Sequence, residues 1–154
     1  MVSASAPPAV DESAVRAALA EVPDPEIPVV SVVDLGMVES VQVAEDRIRV
    51  ELLPTFVGCP ALDAIRGAVV GRLDSFGRPV EVSFGYRVPW GSDRITPEGR
   101  TKLRRSGFAP PGEATCPWCG SGNTAMDNLF GPTHCRSLHY CRSCRQPFEG
   151  FKTV

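Results

Sequence analysis

Four of the six cysteines stand as two Cys-x-x-Cys pairs, Cys116/Cys119 and Cys141/Cys144. Each pair can present two thiolates to one ion, and a hairpin between them closes a tetrahedral four-sulfur shell, which predicts a structural zinc. A redox dithiol is the rival reading of Cys116-Pro117-Trp118-Cys119, but such a motif opens a helix, whereas Gly120-Ser121-Gly122-Asn123 follows here. Cys59 and Cys135 are left over, and working chemistry is to be sought there. In Thr55-Phe56-Val57-Gly58-Cys59-Pro60 the glycine permits a tight turn and the proline suits the first position of a helix. Cys59 is thereby expected at the N-cap, where the N–H groups of Ala61 and Leu62 would favour a metal-binding or nucleophilic thiolate. The plainer alternative is a small buried hydrophobe. Cys135, between His134 and Arg136 and close to His139, reads either as a substitute zinc ligand or as a second thiol facing Cys59. The two histidines are expected in packing or at the surface.

These residues need a scaffold. Asp11 or Ser13 can cap a helix in which Val15, Ala18, Leu19 and Val22 recur on one face before Pro23 and Pro25 end it. Val41 and Val43, then Ile48, Val50 and Leu52, alternate as a hairpin. A third strand is predicted from Val80 through Val88, and a helix over Ala61 to Phe76 from the stripe Leu62, Ile65, Val69, Leu73 and Phe76. Thr96-Pro97 caps a short last helix that ends near Gly107. The order implies an α+β fold: a small, mostly antiparallel sheet covered by helices, with a C-terminal zinc-ribbon subdomain. The expected divisions are a disordered tail over 1–10, the α+β domain over 11–108, a linker over 109–113 and the ribbon over 114–154.

Sixteen basic and eighteen acidic residues give a net charge of −2. Asp11, Glu12, Glu21, Asp24, Glu26, Asp34 and Glu39 make the first third acidic, while Arg94, Arg100, Lys102, Arg104 and Arg105 cluster late. One short basic stretch is too little for nucleic acid, whose binding rests on many phosphate contacts. No apolar run approaches the roughly 20 residues of a membrane span, and no export signal precedes the cysteines, so a cytoplasmic protein with reduced thiols is expected.

Asp24-Pro25-Glu26, Asp34-Leu35-Gly36-Met37, Thr55-x-x-Gly58-Cys59-Pro60, Pro89-Trp90 and Asp93 stand in an order that resembles the MIP-eighteen-like (SufT-like) domain of iron–sulfur assembly factors. The C-terminal run of Cys116-Pro-x-Cys-Gly, Phe130-Gly131-x-Thr133-x-Cys135, Cys141-x-x-Cys144 and Pro147-Phe148-Glu149-x-Phe151-Lys152 is similar to the accessory proteins of multicomponent phenylacetyl-CoA ring-1,2-epoxidases. Pro132 stands where a serine is expected.

The resemblance implies maturation of a client rather than turnover, with Cys59 as the reactive thiol. Iron or a transient iron–sulfur cluster would pass through it, aided by Asp24 and Glu26 and completed by Cys135. For Asp34, a turn-capping role is favoured. Pro89-Trp90 would supply an aromatic wall or client contact, or plain packing. The implied partners are the epoxidase components, above all a reductase with a 2Fe–2S cluster, and general iron–sulfur assembly machinery. Two other classes remain: a non-catalytic docking subunit of the oxygenase, using the ribbon and the 94–105 basic cluster, and a cysteine enzyme, which would need the ribbon to bring a histidine to Cys59.

Overall fold

The structure is a computed structural model that describes residues 9–113 and 115–152. Most of the expected N-terminal tail lies outside the described residues, but Val10 already packs on the core. Helix α1 (Glu12–Leu19) is capped by Asp11, whose carboxylate accepts the Ala14 N–H at 2.8 Å. It buries Val15, Ala18 and Leu19, the face that the periodicity assigns to the core.

Strands β1 (Val38–Val43) and β2 (Ile48–Leu52) form the predicted antiparallel hairpin. Helix α2 (Leu62–Leu73) then crosses over and returns the chain as β3 (Val80–Phe84), parallel to β2. A parallel pair requires such a crossover, so this sheet is mixed. Ile65, Val69 and Leu73 of α2 are buried, one turn apart. β3 is shorter than the alternation to Val88 predicts. It ends at Phe84, and Tyr86 and Val88 are exposed beyond the ladder. The pattern continued; the pairing did not.

Helix α3 (Pro97–Arg105) has Thr96 as its N-cap, accepting from the Gly99 N–H at 2.9 Å. Its basic residues, and Arg94 just before it, are largely engaged within the molecule. Arg94 binds Glu39 and the Gly36 carbonyl, Lys102 binds Asp34, and Arg100 and Arg104 hold Glu113 while Arg100 also reaches the Ser92 and Pro111 carbonyls. The expected basic docking surface is therefore mostly a clamp on the chain's own connections.

The connection to the ribbon is also more ordered than a linker. Phe108–Ala109 forms β4, parallel to β7 (Pro147–Phe151), which pairs with β6 (Arg136–Cys141) and through it with β5 (Thr124–Asn128). Ala109, assigned to the linker from the sequence, thus belongs to the ribbon's sheet. Cys135 and Phe151 join the hydrophobic cluster of the first domain, so the ribbon packs on the α+β domain instead of hanging from it.

Candidate functional site

The two knuckles fold as their spacing requires. The Sγ atoms of Cys116 and Cys144 lie 3.7 Å apart, as do those of Cys119 and Cys141, and all four sulfurs fall within 4.8 Å of one another. A tetrahedral shell with bonds of about 2.3 Å sets sulfurs about 3.8 Å apart, so the donor set fits one ion. The residue after each knuckle is left-handed: Gly120 at φ 75° and Arg145 at φ 59°. Glycine adopts that conformation freely, whereas arginine there costs about 1 kcal/mol. Neither histidine enters the shell. His139 stacks on Phe148 at 5.2 Å and bonds Ser137, and His134 stacks on Phe56 at 5.8 Å.

Cys59 is not the N-cap of α2. The helix begins at Leu62, its N-cap is Ala61, and no side chain caps it. The turn between explains the offset: the Cys59 N–H donates to the Phe56 carbonyl and the Leu62 N–H to the Cys59 carbonyl, so Pro60 and Ala61 are consumed by a turn before the helix starts. Gly58, at φ 79°, permits that turn. The half-buried thiol is pushed up from its ordinary value by burial, against the Ala61 N–H bond, and further by the charges of Glu26 and Asp24. A helix-activated thiolate is thus not what the fold builds. The charges acting on Cys59 are those of the carboxylates Glu26 and Asp24.

The carboxylates are positioned by a loop that closes on itself. Pro23 bridges Ser31, the Asp24 N–H donates to the Val30 carbonyl, and Asp24 Oδ1 accepts the N–H groups of Glu26 (2.9 Å) and Ile27 (2.8 Å). Ile27 is buried and anchors the loop. Asp24 is therefore a turn former that presents Glu26, although burial raises its carboxyl against those bonds and the Arg136 charge. Asp34 is structural, as favoured: it exchanges hydrogen bonds with Ser31 and pairs with Lys102 at 2.8 Å.

The ribbon supplies the other half. Cys135 Sγ lies 3.2 Å from Glu26 Oε2 and 3.2 Å from Thr133 Oγ1. Burial pushes this thiol up to about 11 against the Thr133 bond, with the Glu26 bond and the Glu26 and Asp24 charges adding to the rise. Trp90 is buried, donates Nε1–H to the Leu35 carbonyl at 2.7 Å and meets Phe151 at 5.7 Å, so it seats the ribbon's last strand and is not an exposed client contact. Arg136, which carries no motif of its own, reaches back to the Glu26 carbonyl. Its adjacency to Cys135 was the one available signal.

Glu26 and Asp24 thus act electrostatically on both Cys59 and Cys135. Among the described residues, however, only the knuckle sulfurs converge within 4.8 Å as a group of three or more metal-type ligands. Cys135 and Glu26 form a thiol–carboxylate pair, and the Glu26 charge also acts on Cys59, but the three do not make a preformed cage. Both thiols are favoured in the protonated form, by burial first and by the nearby carboxylate charges second. A cavity of about 400 Å³ lies elsewhere on the ribbon, by Met126, Leu129, His139 and Phe148.

Comparison with known proteins agrees with this architecture. Residues 12–84 match the family model described as iron–sulfur cluster assembly protein, and residues 101–152 match the PaaD zinc beta ribbon domain. The α+β part is similar to the DUF59 domain of unknown function from Bacillus anthracis, at TM-score 0.56 and 28% identity over 60% of this chain and 90% of that one. It is likewise similar to a conserved hypothetical protein from Thermotoga maritima, at TM-score 0.53 and 29% identity over 61% and 94% of the two chains. The class is therefore an iron–sulfur-assembly-type domain fused to a zinc-ribbon-type metal domain.

A protein of Escherichia coli (strain K12), named as the D component of a "Putative 1,2-phenylacetyl-CoA epoxidase", is 38% identical over 97% of this chain and 96% of its own length. The chain belongs to the family of these 1,2-phenylacetyl-CoA epoxidase D components. An accessory role in such a system fits both domains. No helix among the described residues is long and apolar enough to cross a membrane.

Proposed function

We propose that the protein is a non-catalytic maturation factor, which passes iron or an iron–sulfur unit to a component of the phenylacetyl-CoA epoxidase. The reductase with its 2Fe–2S cluster is the component in view, and general assembly machinery would supply the cargo. The observation that carries this reading is the contact between Cys135 and Glu26, which joins a ribbon thiol to a carboxylate of the assembly-type domain beside Cys59. Two thiols are fewer than the four that hold a resident cluster, which suits transient custody. The knuckle ion is zinc on this reading and has a structural role.

The test is metal analysis of protein purified without oxygen, as wild type, Cys59→Ser and Cys135→Ser, beside the cluster absorbance of reductase from cells lacking this protein. Zinc stays constant in all three, iron falls in both variants, and the reductase is short of cluster. A reductase with full cluster content in those cells removes the proposal. A docking subunit is the second reading, favoured by the exposed Val57, Tyr86 and Phe130. Full epoxidase activity with Cys59→Ser and Cys135→Ser, at fixed co-purification stoichiometry, selects it.

A further inference from the structure

Two successive ribbon residues grip one residue of the α+β domain. Cys135 meets the side chain of Glu26, and the next residue, Arg136, donates through Nη2 to the Glu26 backbone carbonyl. The Arg136 guanidinium also pairs through Nη1 with Glu149 Oε2 at 3.0 Å and lies 4.9 Å over the Phe108 ring. Its side chain is only 16% exposed, and Nε is buried without a hydrogen-bond partner. A buried orphan donor is costly, so the side chain is fixed by its other contacts and not by local satisfaction. Those contacts come from β4, β7 and the Asp24–Ser31 loop. Arginine suits the task because its planar fork serves two acceptors at once while its face rests on a ring.

We infer that Arg136 is a positioning residue of the thiol–carboxylate pair, a ribbon side chain that fixes the Glu26 backbone so that the Glu26 carboxylate meets Cys135. Its importance for iron delivery rests on the reading proposed above; the geometric role does not. Arg136→Met keeps the packing over Phe108 but removes both hydrogen-bonding arms, whereas Arg136→Lys keeps the charge and can serve one acceptor. The knuckle cysteines lie at the far end of β6, so neither variant touches the metal shell.

The experiment measures alkylation of Cys135 by iodoacetamide at fixed pH, read by mass spectrometry against Cys59 in the same molecule, with zinc content as the check on ribbon folding. Arg136→Met should hold its zinc and alkylate Cys135 roughly tenfold faster, since charged hydrogen bonds of this kind set how often the joint opens. Arg136→Lys should fall between Met and wild type. A zinc-replete Arg136→Met with the wild-type rate overturns the inference, as does Arg136→Lys behaving no better than Met. If Arg136→Met loses zinc, Glu149→Gln decides, because it frees the ribbon end of the same fork: faster alkylation supports the role and an unchanged rate refutes it. Normal cluster loading of the client by Cys135→Ser would sink the delivery reading alone and leave this inference standing.

Discussion

Cys135 Sγ lies 3.2 Å from Glu26 Oε2, although 109 residues separate the two in the chain. The contact crosses from the metal ribbon to the assembly-type domain. It joins two units that each resemble familiar modules, and Glu26 also acts electrostatically on Cys59.

Thiol reactivity follows from that arrangement. Alkylation of Cys59 should rise with pH through a midpoint above the ordinary thiol value of 9.0, and that of Cys135 near about 11. Glu26→Gln removes a repelling charge from both and should lower both midpoints. The linkage has a definite sign: the native thiols stay protonated while those of the unfolded chain ionise, so their contribution to stability is intact below about pH 9 and declines toward pH 11. Rate profiles by mass spectrometry check the midpoints, and a Cys59 midpoint clearly below the ordinary 9.0 would restore the helix-end activation that the fold argues against.

Metal removal should act at a distance. Chelation, or Cys116→Ser, should cost the chain one bound ion and the amide protection of β5, β6 and β7, since so small a unit draws its folding free energy from the metal. Residues 12–84 should keep their helical signal. Trp90 nevertheless loses its Phe151 neighbour, so its fluorescence should shift toward that of a wetter indole. Hydrogen exchange and emission spectra, with Trp118→Phe to isolate Trp90, read both effects; an unshifted Trp90 would mean that the ribbon does not lean on this domain.

The Asp34–Lys102 pair gives a stability prediction. Burial opposes ionisation of Asp34, but the Lys102 bond and the Ser31 bonds prevail and hold its carboxyl below the ordinary value. The stabilisation is present above an unfolded value of about 3.8 and is lost as pH falls through the lower folded value. Lys102→Met should cost about 1–2 kcal/mol at pH 7, allowing for the partial exposure of the lysine, and far less at pH 2. Urea unfolding at the two pH values measures the difference; equal costs would assign the effect to packing.

Local chemistry made much of this molecule legible. The Asp11 cap, the α1 and α2 stripes, the β1–β2 alternation and the knuckle spacing each act over a few residues, where periodicity and capping decide. The failures are instructive in the same terms. Alternation to Val88 could not reveal that the ladder to β2 stops at Leu52 and Phe84, because a strand exists only where a partner supplies hydrogen bonds. Pro60 marked a turn correctly but not the two residues that the turn consumes before α2. Arg94 and the basic residues of α3 looked free because their acceptors, Glu39, Asp34 and the Pro111 carbonyl, are remote in sequence or belong to the backbone.

The chain by itself determined the four-sulfur donor set and left Cys59 and Cys135 as the two remaining thiols, because residue type and short spacing specify donors and turns, whereas Asp24 and Glu26 stood out only through the family resemblance. Only the tertiary structure decided that Cys135 faces Glu26, that Arg136 reaches the Glu26 carbonyl beside it and that burial and carboxylates surround Cys59 in place of a helix end. Distance between remote segments, burial and the summed field of neighbouring charges set those outcomes, and all three come into being when the ribbon packs against Trp90 and the Asp24–Ser31 loop.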